Sequence, residues 1–144
     1  MLLSKEFAVY LNLAACKLKL YTAAMLKKKN IDLTPEQFLL IDLLWNNGAM
    51  SQQKVADMMQ KDKNSITKLA DALEKKGMVV RQKDRFDLRS NILVPTPKAE
   101  ELKNEAKEKG ISILESVLEG IDEEDVRTFL DTLARITENM EKKL

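Results

Sequence analysis

Asn64, Thr67 and Lys68 offer an amide, a hydroxyl and an ammonium within five residues of one another. That set can hydrogen-bond the edges of bases in a DNA major groove, provided a helix presents all three on one face. They lie in the stretch DKNSITKLADALEKKGMVVRQKDRFDLRSN, from Asp62 to Asn91. A projection at about 100° per residue places Asn64, Thr67, Lys68, Asp71 and Lys75 together, opposite the apolar stripe of Ile66, Leu69 and Leu73. Lys63 and Ser65 flank the set and suit phosphate oxygens. Asp71 would repel phosphate, and helical spacing offers it Lys68 or Lys75 as a partner.

Composition removes most catalytic chemistry. With no histidine and a single cysteine, Cys16, the chain can build neither an internal disulfide nor a Cys/His zinc site, and no triad with a histidine base. No cofactor or metal is expected, and no nucleophile–base constellation points to an enzyme. Hydrophobic residues at 44% and charged residues at 33% suit a folded, helix-rich chain of 144 residues. No basic-then-apolar leader or membrane-length apolar run is seen, so the expected location is cytoplasmic, away from membranes. The net charge of +1 hides an asymmetry. Residues 61–98 carry 10 basic and 5 acidic side chains, whereas residues 99–144 carry 7 and 13. Positive charge therefore gathers around the opening stretch, as phosphate binding requires.

The elements that must position these residues have clear punctuation. Helical spacing of Phe7, Leu11, Ala14, Leu18, Tyr21 and Met25 predicts a helix from about Lys5 to Lys29, apolar on more than one stripe. LTPEQF predicts a capping box at Thr34 and Gln37 with Pro35 in the first turn and a Leu33–Phe38 staple. The following helix, nearly all apolar from Phe38 to Trp45, should be central and buried, and should stop at Asn47–Gly48. Ser51 should cap a short helix that turns Val55, Met58 and Met59 inward. Asp62 should cap the next helix, which ends at Gly77. Two short helices joined by a tight turn, the second one basic, form a helix-turn-helix pattern, here without a glycine in the turn. MVVRQ and NILVP then predict a β-hairpin with a charged tip. Thr96–Pro97 opens a long helix carrying Ala99, Leu102, Ala106, Ile113 and Val117. Asp122 should cap a final one carrying Val126, Phe129, Leu130, Leu133, Ile136 and Met140.

This order of elements resembles the MarR (multiple antibiotic resistance regulator) family, most specifically through LTPEQFLLIDLL, KNSITKLADALEKKGMVVR and DLRSNILVPTPKAEEL. The family's wing shows Asp-x-Arg, then a strand ending in Leu-Thr. Asp87, Arg89 and Thr96 stand at those places, with Pro95 for the usual leucine and Ala99 where glycine is common. The resemblance implies a mainly α fold with a small β-hairpin: a winged helix-turn-helix flanked by dimerisation helices. Residues 1–33 and 97–144 would dimerise, and residues 34–96 would bind DNA. It further implies a homodimeric regulator of transcription on a double-stranded operator, usually a repressor released by a small-molecule effector. In that setting Arg89 would enter the minor groove, oriented by Asp87. Arg85 and Lys83 are further candidates at the wing tip. The competing reading is a winged helix that binds protein and no DNA, which a recognition helix without base-capable side chains would favour. Cys16 invites comparison with a peroxide-sensing branch of the family, but it lies farther into the first helix and is expected to be a small buried hydrophobe. Tyr21, Met25, Met58, Met59 and Trp45, at helical spacing, are expected in the core.

Overall fold

The computed structural model describes residues 2–144. Six helices and three short strands follow one another: α1 (Leu3–Lys28), α2 (Pro35–Asn47), β1 (Met50–Ser51), α3 (Gln52–Met59), α4 (Lys63–Lys75), β2 (Val79–Lys83), β3 (Asn91–Pro95), α5 (Pro97–Val117) and α6 (Glu123–Lys143). The chain divides into two compact units, the first extending to Ile113 and the second running from Leu114 to Leu144.

In the first unit, side-chain oxygens start the helices. Thr34 Oγ1 accepts from the Gln37 amide, and Gln37 Oε1 accepts from the Thr34 amide, closing the capping box at α2. Ser51 and Asp62 cap α3 and α4 through the amides of Lys54 and Ser65. The α3–α4 turn manages without glycine because Gln60 itself adopts the left-handed conformation at φ 53°. Lys61 then donates its amide to the Ala56 carbonyl, closing the end of α3. At the end of α4, Gly77 takes φ 74° and the Met78 amide reaches the Leu73 carbonyl, which turns the chain directly into β2.

The sheet is antiparallel, with β3 central between β1 and β2. The two-residue β1 is too short to show alternation and has no counterpart in the sequence reading. It pairs Met50 with Leu93, and β2 pairs Arg81 with the same leucine. Leu93 is fully buried and joins the core formed by Leu40, Ile41 and Leu44 of α2, Val55 of α3 and Ile66, Ala70 and Leu73 of α4. Ala99, Ala106 and Ile113 of α5 complete it. Small residues on α5 let the helices approach closely: a Cβ built on Gly110 would lie 2.8 Å from Phe38 Cζ.

Several side chains depart from the sequence expectations. Leu39 is exposed because it falls on the outer face of α2, so that helix is buried on one side only. Met58 points outward while Ala56 takes the inward place beside Val55. Cys16 is exposed on α1 and is no core residue. Tyr21 is also exposed, while Trp45 is buried and Met25 and Met59 pack partly on the core. In the second unit Asp122 holds the N-cap backbone position of α6 but makes no side-chain cap bond. Among the described residues no helix is long and apolar enough to cross a membrane.

Glu36 links α1 to the helix-turn-helix. Its Oε1 accepts from Lys19 at 3.1 Å and from Lys61, in the α3–α4 turn, at 3.3 Å. The hydrogen bond from Lys19, then that from Lys61, hold its carboxyl below the usual glutamate range. A carboxylate whose folded pKa is depressed adds stability above its unfolded pKa and loses it as pH falls through the folded pKa. We therefore predict that Glu36→Gln is less stable than the parent at neutral pH and that the gap closes on acidification below the ordinary glutamate range. Urea unfolding at several pH values measures this. A gap that does not change with pH would remove the ion pairs as its cause.

Candidate nucleic-acid interface

The recognition helix presents two surfaces. Ile66, Ala70 and Leu73 are buried against the core, while Lys63, Asn64, Lys68 and Asp71 face solvent. Asn64 and Lys68 make no ion pair or side-chain hydrogen bond among the described residues, so their polar groups are available to a ligand. Ser65 is half-buried beside the cap. Hydrogen bonds from Ser65, side chain first and backbone amide second, hold the Asp62 carboxyl below the usual range, so it stays ionised as a cap. Thr67 differs from its neighbours. Its hydroxyl donates to the Lys63 carbonyl at 3.0 Å and lies 3.5 Å from Gln52 Nε2, so it is turned toward α3.

Asp71 pairs with neither Lys68 nor Lys75. Its partner is Arg81, which projects from β2 across the side of α4. Arg81 Nε donates to Gln52 Oε1 at 2.9 Å, and Nη2 donates to the Thr67 carbonyl at 3.0 Å while lying 2.7 Å from Asp71 Oδ1. Nη1 reaches Glu74 Oε1 at 3.3 Å. With 18% of its side chain exposed, this guanidinium sits in a crevice between α3, α4 and the wing. It neutralises the carboxylates of Asp71 and Glu74 on α4, and it fixes the hairpin against the helix. A planar fork suits this arrangement, because each partner meets a different N–H.

Sequence reasoning overlooked Arg81, although a signal was present. Strand alternation places it on the same face as buried Val79, and a charge on the inward face of a strand must find partners.

The hairpin tip is held locally. Asp84 Oδ1 accepts from the Phe86 amide at 2.9 Å, and Asp87 Oδ1 accepts from the Arg89 amide at 3.0 Å. The same Asp87 oxygen lies 3.3 Å from Arg89 Nε, yet 94% of the arginine side chain is exposed. An exposed, single-contact pair of this kind contributes under about 1 kcal/mol. It orients the arginine without burying it. Arg85 and Lys83 are exposed on either side of Asp84.

A capped helix that leaves Asn64 and Lys68 free, clamped beside a hairpin with exposed cations, defines a winged helix-turn-helix protein of the DNA-binding class. Known proteins agree. The sequence profile of the MarR family matches residues 33–90. The HTH-type transcriptional regulator YfiV of Bacillus subtilis is 30% identical over 116 residues, spanning 78% of this chain and 72% of the relative. A MarR-family transcriptional regulator from Rhodococcus sp. RHA1 superposes with a TM-score of 0.80 at 25% identity, covering 94% of this chain and 95% of the other. The transcriptional repressor CouR, from Rhodococcus jostii RHA1, bound to a 23-mer DNA duplex, gives 0.83 at 26% identity and 94% coverage of both chains. The chain belongs to the MarR family of DNA-binding transcription regulators.

The Arg81 junction leads to a prediction that needs no ligand. Arg81→Ala leaves Gln52, the Thr67 carbonyl and two carboxylates without their donor, and should lower stability by about 1–3 kcal/mol. Amide exchange should accelerate in β2 and α4 more than in α5. Arg81→Lys should restore little, because a single ammonium cannot meet all four partners. Unchanged exchange in β2 and α4 would show that the core alone sets the wing's position.

Proposed function

We propose that this protein is a homodimeric repressor that binds a pseudo-palindromic operator and is released by a small ligand. The observation that carries the reading is the pairing of two bare surfaces: the Asn64–Lys68 face of α4 and the exposed Arg89 of the wing. The first matches the width and hydrogen-bonding pattern of the major groove. The second matches the minor groove beside it. In this reading Asn64 and Lys68 read bases, Lys63 and Ser65 hold phosphates, and Thr67 contributes mainly by fixing its end of the helix against α3. Arg89 lies in the minor groove with Asp87 behind it, and Arg85 meets the backbone. The repressor role is supported by the likeness to CouR, a transcriptional repressor solved on DNA.

The dimer is supported by apolar surface that a monomer would leave in water. Phe7, Val9, Tyr10, Leu13, Leu18 and Leu20 are exposed on α1, and Leu114, Leu118, Ile121, Phe129 and Leu130 are exposed in the second unit. Patches of this kind mark association surfaces. Release by a ligand is supported by CouR, which has also been solved with p-coumaroyl-CoA. In this chain an open cleft of about 480 Å³, bordered by Lys27, Asp32 and Lys76, lies between the end of α1, the loop that follows it and the end of α4. Lys76, at the end of α4, donates there to the Asp32 carbonyl and Gln37 Oε1. A ligand in the cleft would therefore act on the end of the recognition helix.

Two predictions test this reading. Sedimentation should show a dimer at micromolar concentration, and a monomer at tens of micromolar would overturn the assembly. Selection from a random DNA pool should recover half-sites about 10 bp apart, one per recognition helix. On the recovered duplex, Lys68→Ala should weaken binding and Asn64→Ala should relax base preference by about 1–3 kcal/mol at one position. Arg89→Ala should weaken all sites by a similar factor and flatten the salt dependence, since a lost phosphate-neutralising charge releases fewer counterions. Recovery of no duplex would favour the protein-binding alternative.

A further inference from the structure

The wing tip carries two large apolar side chains that the fold does not use. Phe86 is 93% exposed and Leu88 71% exposed, and neither joins the core or packs partly against it. They are presented by a hydrogen-bonded turn. The Asp84 amide donates to the Ser90 carbonyl at 3.0 Å and the Ser90 amide to the Asp87 carbonyl at 2.9 Å, closing the tip on itself. The carboxylates of Asp84 and Asp87 accept from the Phe86 and Arg89 amides within that turn, while the side chains of Lys83, Arg85 and Arg89 are exposed in the same segment. The tip is thus an exposed apolar pair in a segment whose three cations outnumber its two carboxylates. The β2–β3 ladder from Val79–Pro95 to Lys83–Asn91 carries it about 13 Å beyond the end of the sheet that joins α4 and α5.

We propose that Phe86, backed by Leu88, is an apolar wedge that packs against the walls of the DNA minor groove beside Arg89. This deepens the operator-binding reading above and rests on it. The groove is about 6 Å wide, which admits an aromatic ring edge-on. Its walls are deoxyribose C–H surface, and apolar wedges are a known means of gripping and opening it. The net positive charge of the tip, with Lys83, Arg85 and Arg89 all exposed, favours this phosphate-bearing occupant over an apolar protein groove. The wedge also explains why the tip holds phenylalanine and leucine in full solvent. Their burial is gained on binding rather than on folding.

The contact differs from that of Arg89 in one measurable way: burying a neutral ring releases no counterions. The experiment measures affinity against salt for the parent, Phe86→Ala, Phe86→Leu, Leu88→Ala and Arg89→Ala on the duplex recovered by selection. Phe86→Ala should bind about fivefold to tenfold more weakly at every salt concentration, with the parent's slope retained. Phe86→Leu should keep most of the affinity, and Leu88→Ala should lose less than Phe86→Ala. Arg89→Ala alone should flatten the slope. Thermal midpoints should be unchanged for all four variants, since these side chains are exposed. Parent-like binding by Phe86→Ala would overturn the wedge while leaving the operator reading intact. A slope flattened by Phe86→Ala as much as by Arg89→Ala would also overturn it, since the ring would then only be placing the arginine. If selection with the parent recovers no duplex, both readings fail together.

Discussion

One guanidinium holds α3, α4 and the hairpin of this protein in register. Arg81 leaves β2 and meets Gln52 of α3 and three groups of α4: the Thr67 carbonyl, Asp71 and Glu74. The recognition helix and the wing are otherwise joined through Gly77, a residue chosen for conformational freedom. A hairpin on such a joint would have considerable freedom relative to the helix if only its apolar base were anchored. Buried Val79 and Leu93 anchor that base. Arg81 adds a directional constraint, because each N–H of its fork must find its own acceptor. Two surfaces whose separation is set before binding lose less freedom to any ligand that spans both.

The same interaction settles an electrostatic conflict. Asp71 and Glu74 put two carboxylates on the same helix as Lys63 and Lys68. Unpaired, they would oppose the approach of any polyanion. Paired with Arg81 they become part of the scaffold, and Lys63, Lys68, Lys75, Lys83 and Arg85 are left exposed without an ion pair among the described residues. Acidic residues then dominate residues 99–144, so charges of opposite sign are segregated along the chain. That segregation favours one mode of approach to a polyanion over others.

The helix-turn-helix shows how little glycine such a turn requires. Gln60 accepts φ 53° because its carbonyl-side neighbour, Lys61, gains a hydrogen bond to Ala56 and an ion pair to Glu36. The left-handed strain of a non-glycine residue is of order 1 kcal/mol, comparable to what those contacts return. Glu36 in turn reaches back to Lys19, so the turn before the recognition helix is tied to α1. A chain of contacts thus runs from the helix with the exposed apolar face to the element that carries Asn64 and Lys68.

Local rules were legible in the sequence because they act over three or four residues. The Thr34–Gln37 box, the Ser51 and Asp62 caps, the stop at Gly77 and the two hairpin strands each need only near neighbours, and the structure places them where the residues indicate. The solvent face of α4 was equally legible, since its periodicity separates Asn64 and Lys68 from Ile66 and Leu73. Tertiary structure decided the rest. A two-residue strand such as β1 has no periodicity and exists only because β3 offers an unpaired edge. Leu39, Met58 and Cys16 are outside because burial depends on which elements arrive on each side of a helix, which composition does not encode. Asp71 chose Arg81 over lysines at helical spacing because the hairpin folds back across α4 and brings a guanidinium within 2.7 Å. The parity of β2 announced that Arg81 needed partners. Only the packing of three elements around one crevice determined which ones.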